Sequence, residues 1–145
     1  MLTSLQSWFF WAVLSACFAA LTAIFAKVGI QGVDSDFATL IRTIFIFVVL
    51  AVFVFWTGKW SDPRAFSGRT LTFLGLSALA TGASWVCYFR ALQIGDASKV
   101  APVDKFSLVL VAVFAFVFLG ERPAARDWLG IGLVAAGVLL LALKR

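Results

Sequence analysis

Residues 104–123 read DKFSLVLVAVFAFVFLGERP: Asp104 and Lys105 lead into an unbroken apolar run over 108–119, which closes on Gly120, Glu121, Arg122 and Pro123. Transmembrane β-strands alternate lipid-facing and lumen-facing residues over about ten positions, so an unbroken run argues for an α-helix. The two opposite charges at its start are the costly part. A charged side chain at bilayer depth costs about 3 kcal/mol on insertion scales, and such groups face protein or water, in an ion pair or along a pathway.

The same reading extends along the chain. With 63% hydrophobic and 13% charged residues and a mean hydropathy of +1.04, the sequence is too apolar for a soluble domain and too evenly apolar for one anchor. A hydrocarbon core about 30 Å thick takes roughly 20 residues of helix. Five segments qualify, 8–26, 37–57, 70–89, 100–119 and 128–143. The predicted fold is an all-α integral membrane protein, a single transmembrane domain over 1–145 surrounded by the lipid bilayer. No Lys or Arg precedes the first segment, and its apolar run exceeds that of a signal peptide. Residues 1–145 are therefore read as the mature chain.

Composition also excludes functions. The chain has no histidine, and Cys17 and Cys87 fall inside predicted helices. The usual metal clusters and histidine-based catalytic groups then lack their residues, so no metal, cofactor or enzymatic activity is expected. The net charge of +5 is spread through short loops, which suits membrane flanking rather than nucleic acid.

An odd number of spans puts the two termini on opposite sides. One set of loops carries Lys59, Arg64, Arg69, Arg122 and Arg126; the other carries Lys27, Arg90, Lys99, Lys144 and Arg145, with Arg42 and Lys105 deeper. Because Lys and Arg bias sets orientation, this near balance predicts dual topology and an antiparallel homodimer.

Polar residues converge toward one membrane face, where Lys27, Asp36, Arg42, Arg90, Ser98, Asp104 and Lys105 lie near helix ends. Arg42 and Asp104 each sit roughly 9 Å along their helices, within snorkelling reach of water. Thr81, Ser84, Trp85 and Tyr88 follow at i, i+3, i+4 and i+7, one helical stripe of hydroxyls and rings suited to a substrate path. Tyr88 suits an interfacial anchor equally well. Neighbouring Asp104 and Lys105 point about 100° apart on a helix, so each is expected to find a partner elsewhere: Asp104 on Arg42 or Lys27, or on a charged substrate. Asp96 and Ser98 are expected to cap the fourth helix and Pro102 to lack the N–H of a deeper turn. Glu121 reads as a surface ion pair or helix stop. Small residues at Gly75, Gly82, Gly130, Gly132 and Gly137 are expected to let helix backbones approach closely.

Tyr88-Phe89-Arg90-Ala91-Leu92 running into Gly95-Asp96-Ala97-Ser98, then Val100-Ala101-Pro102, and finally Leu119-Gly120-Glu121-Arg122, resemble the EamA family of the drug/metabolite transporter superfamily, especially its short single-repeat bacterial members. The resemblance covers all five spans. Typical members carry two five-helix repeats inverted in the membrane, and this chain looks like one repeat alone. Inverted repeats hold a site at their interface and rock around it, so a single repeat needs a second copy in the opposite orientation. The resemblance thus implies a secondary transporter in a bacterial inner membrane, moving a small polar or amphipathic metabolite by alternating access as a homodimer. The alternatives are a membrane subunit requiring a different partner chain, and a flippase for a lipid-linked carrier.

Overall fold

The computed structural model describes residues 2–143, with side chains from Trp8 onward; Lys144 and Arg145, counted above among the loop charges, lie outside the described residues. Helices α1 (Leu2–Gly29), α2 (Ser35–Trp56), α3 (Gly68–Ile94), α4 (Ala97–Asp104), α5 (Ser107–Phe114) and α6 (Ala125–Ala142) follow in order. A 3₁₀ turn at Pro63–Ala65 precedes α3, and a π turn at Ala115–Leu119 follows α5. Five stretches are long and apolar enough to cross a membrane: Trp8–Gly29, Ser35–Trp56, Gly68–Ile94, Ala97–Leu119 and Ala125–Ala142. They coincide with the predicted spans to within a turn or so at each end.

The fourth span differs from expectation in being broken. Pro102 has no N–H for the Ser98 carbonyl one turn back, and the chain tightens just beyond it. Lys105 N–H donates to Pro102 O, Phe106 N–H to Val103 O and Leu108 N–H to Lys105 O, all at 3.0 Å and all three residues apart. At the far end the π turn closes on Gly120, whose φ of 68° is left-handed. That residue stops the span, because an L side chain resists this region.

Local chemistry accounts for the other helix ends. The Asp34 carboxylate accepts from the backbone N–H groups of Asp36 at 3.0 Å and Phe37 at 2.9 Å, capping α2. Its C-terminus ends with Gly58 N–H on Phe55 O and Lys59 N–H on Val54 O, both 3.1 Å, the paired bonds of a Schellman motif with glycine at the left-handed position. Ser67 Oγ accepts from Thr70 N–H at 3.1 Å to start α3, and Asp127 Oδ2 accepts from Ala124 N–H at 2.8 Å to start α6.

Contacts divide the chain into two units. Phe25–Ile94 forms one, in which α2 packs along α3. The other combines the preceding part of α1 with everything from Gly95 onward, and here α4 and α5 pack on α6. Large apolar side chains face outward along the spans: Phe45, Phe55, Trp56, Phe118 and Leu140 are all exposed. In a bilayer such surface is solvated by lipid tails, and no hydrophobic gain comes from hiding it. The expected close approach at Gly75, Gly82, Gly130, Gly132 and Gly137 is not seen: an added Cβ at any of them would meet no atom within 4 Å.

Candidate functional site

In the unit Phe25–Ile94, the end of α1, the start of α2 and the end of α3 bring polar groups together. Arg90 Nε donates to Asp36 Oδ1 at 2.9 Å, and the second guanidinium arm reaches Asp36 Oδ2. This fork-on-carboxylate geometry is the directional form of the ion pair. Gln93 Nε2 donates to Val33 O at 2.9 Å, and Lys27 Nζ donates to Leu92 O. These bonds tie the α1–α2 connection to the last turns of α3, where Leu92 and Phe89 are fully buried.

Arg42 lies one to two turns further along α2. Its guanidinium carbon stands 4.5 Å from the centre of the Trp85 ring and 5.3 Å from that of Phe89. The cation is half-buried on two aromatic faces, an arrangement in which the ring quadrupoles attract it. Trp85 also lines a cleft of about 610 Å³ between α2 and α3, walled by Thr39, Thr43, Ser77 and Thr81 with Leu40 and Leu74. Asp36 stands at its rim. Three of the hydroxyls donate to carbonyls one turn back in their own helices: Thr39 to Ser35 O and Thr43 to Thr39 O at 2.8 Å, Thr81 to Ser77 O at 2.9 Å.

Of the residues expected along the pathway, Lys27, Arg42, Thr81, Trp85 and Tyr88 thus fall in one polar region. Tyr88 packs edge-to-face on Phe89, with ring centres 6.4 Å apart. Ser84 shares their stripe but is exposed and not among the residues lining the cleft. Sequence reasoning overlooked Thr39, Thr43 and Ser77, although Asp36, Thr39 and Thr43 stand at i, i+3 and i+7 and Ser77 and Thr81 at i and i+4, spacings that place each set on one face.

The remaining expected residues belong to the other unit, and several behave differently from expectation. Asp104 and Lys105 pair with each other at 3.4 Å. Lys105 lies in the turn at the end of α4, not inside a continuous helix, and its side chain reaches back to its neighbour. Asp96 occupies the N-cap position of α4 but its side chain makes no capping bond; the carboxylate meets Lys99 at 3.1 Å instead. Ser98 is exposed within the first turn of α4 and does not cap it. Glu121 follows the left-handed Gly120, its N–H on Ala115 O at 3.2 Å, so it marks the helix stop. A second cleft of about 390 Å³ between α5 and α6, lined by Leu108, Val109, Arg126, Asp127, Gly130, Ile131 and Val134, includes none of the expected site residues.

The profile of the EamA-like transporter family matches residues 6–143. A Sinorhizobium sp protein described as an uncharacterized transporter in the cobO 3'region is 61% identical over 137 residues, covering 94% of this chain and 97% of that protein. Proteins of Yersinia pestis and Yersinia pseudotuberculosis described as probable 4-amino-4-deoxy-L-arabinose-phosphoundecaprenol flippase subunit ArnE are 32% identical over 84 residues, covering 57% of this chain and 74% of theirs. No solved structure matches the chain. Five helices long and apolar enough to cross a membrane and a family match over almost the whole length lead to one assignment: the chain belongs to the EamA-like transporter family.

Proposed function

We propose that the protein is a secondary transporter of a small polar or amphipathic metabolite, working in a bacterial inner membrane as a pair of identical chains in opposite orientations. The observation that carries this reading is the α2–α3 cleft, a space of about 610 Å³ whose mostly apolar wall also carries Asp36, four hydroxyl residues and the Trp85 ring. Polar groups placed there without purpose would only cost insertion energy. Opposed copies would recreate the inverted repeats around which alternating access operates. Trp85, Thr81 and Arg42 are the residues assigned to the pathway on the α2–α3 side. Asp104 and Lys105 are assigned to exchange partners with a charged substrate.

The test is uptake into sealed proteoliposomes. Purified protein is reconstituted, the vesicles are incubated with a soluble metabolite extract of bacterial cells, and the lumen is analysed by mass spectrometry. Enrichment of a metabolite over protein-free vesicles, reduced by Trp85→Ala, is the expected outcome. Enrichment of nothing contradicts it.

A flippase reading is favoured by a separate observation, the likeness to proteins described as flippase subunits for a phosphoundecaprenol-linked amino sugar. In that case the vesicles take up no soluble metabolite but move a labelled polyprenyl phosphate between leaflets. The word subunit in that description also supports a different partner chain, which co-purification with an unrelated membrane protein would reveal.

A further inference from the structure

Where the end of α1, the start of α2 and the end of α3 meet, the charged side chains are engaged. Asp36 is taken by Arg90, Asp34 caps the backbone of α2, and Lys27 donates to the Leu92 carbonyl. Arg42 rests on aromatic rings instead: its guanidinium lies over Trp85 and Phe89, and among the described residues no carboxylate pairs with it. Stacking satisfies the face of a guanidinium and leaves its edge, a rigid fork of donors, available. A planar cation within a span, supported by two rings and without a carboxylate partner among the described residues, is suited to receive an oxyanion.

We propose that Arg42 binds the phosphate or carboxylate of an amphipathic anion, and that this anionic class is what the transporter carries. The inference rests on the transporter reading above, since it names the substrate class of that site. Trp85 connects the two features: one ring supports the guanidinium and also lines the α2–α3 cleft. A ligand that moves the Trp85 ring therefore reports on Arg42, and an anion on Arg42 fixes the ring. Lysine would keep the charge but lose the fork and most of the stacking, so the geometry predicts a preference that charge alone does not.

The experiment is calorimetric titration of the protein in phosphatidylcholine nanodiscs with hexyl phosphate, and with hexylammonium as the probe of equal length and opposite charge. Hexyl phosphate binds the wild type and hexylammonium does not; Arg42→Lys weakens hexyl phosphate binding by about tenfold, and Arg42→Gln abolishes it. Should Arg42→Gln fail to fold, Arg42→Lys and Trp85→Phe decide the matter, because both retain the charge. Repeating the titration with inorganic phosphate, and with phosphatidylglycerol in the discs, identifies the source of the anion. Competition by inorganic phosphate alone means a free metabolite, and competition by phosphatidylglycerol means a lipid headgroup; either supports oxyanion recognition. Equal binding of hexyl phosphate to wild type and Arg42→Lys, hexylammonium binding as tight as hexyl phosphate, or absence of hexyl phosphate binding to the wild type overturns it. Calorimetry requires no transport, so hexyl phosphate binding without uptake in proteoliposomes removes the transporter reading alone. Uptake unaffected by Arg42→Gln removes only this inference.

Discussion

At Trp85 one side chain serves packing and recognition together. Its ring carries Arg42 at 4.5 Å, an interaction worth about 1 kcal/mol where partly exposed. Trp85→Ala is expected to lower stability in thermal unfolding by about 1 kcal/mol through the lost cation–ring contact, and to weaken substrate affinity in proteoliposome uptake by a larger factor than that loss implies. Unchanged affinity in a folded variant would assign Trp85 to packing. Asp36→Asn, by contrast, breaks a pair whose side chains are 45% and 62% exposed. Solvent screening makes such pairs weak, so its unfolding midpoint should fall by less than that of Trp85→Ala. Arg42 and Trp85 were legible in the sequence because a cation and a tryptophan stand out among apolar neighbours. Thr39 and Thr43 were not, because spacing puts them on one face of α2 without saying that this face meets α3.

The elements were legible where a span is continuous and obscured where it breaks. Hydropathy located all five crossings, since a window average needs only composition and length. It could not see that the fourth is divided, because Pro102 and the pair Asp104–Lys105 interrupt geometry more than they interrupt hydropathy. The expectation that neighbouring charges cannot meet failed for this reason, as Lys105 sits in the turn after α4. Pro102→Ala restores an N–H inside α4, and stability should rise by about 1–3 kcal/mol if the helix then continues through 105–106. A fall in helicity by circular dichroism would contradict this. At the other end, Gly120 holds a φ of 68° with nothing within 4 Å of an added Cβ. The whole cost of Gly120→Ala is then in the backbone, about 1 kcal/mol by thermal unfolding. Gly120→Asn should cost less, since asparagine tolerates this region. Equal stability of Gly120→Ala and wild type would mean that the stop does not depend on the left-handed turn.

At the scale of the whole molecule, the proposed transport depends on assembly. The outward faces are apolar, as lipid requires, and the glycines of α3 and α6 face open space within this chain. Basic residues are divided almost evenly between the two sets of loops, which is what a chain inserting both ways would carry. The sequence shows which loops hold Lys and Arg; the pairing of copies depends on surfaces that no single-chain pattern specifies. We propose that a single repeat works beside its own inverted copy. Impermeant-maleimide labelling of Ser61→Cys in intact cells tests this, with Cys17 and Cys87 replaced and permeabilised cells giving the total. Ser61 is exposed in the connection between α2 and α3, and unlike Ser67 it caps no helix among the described residues. Labelling of about half the protein is expected, both orientations coexisting in one membrane. Labelling of nearly all or nearly none would show a single orientation and contradict it.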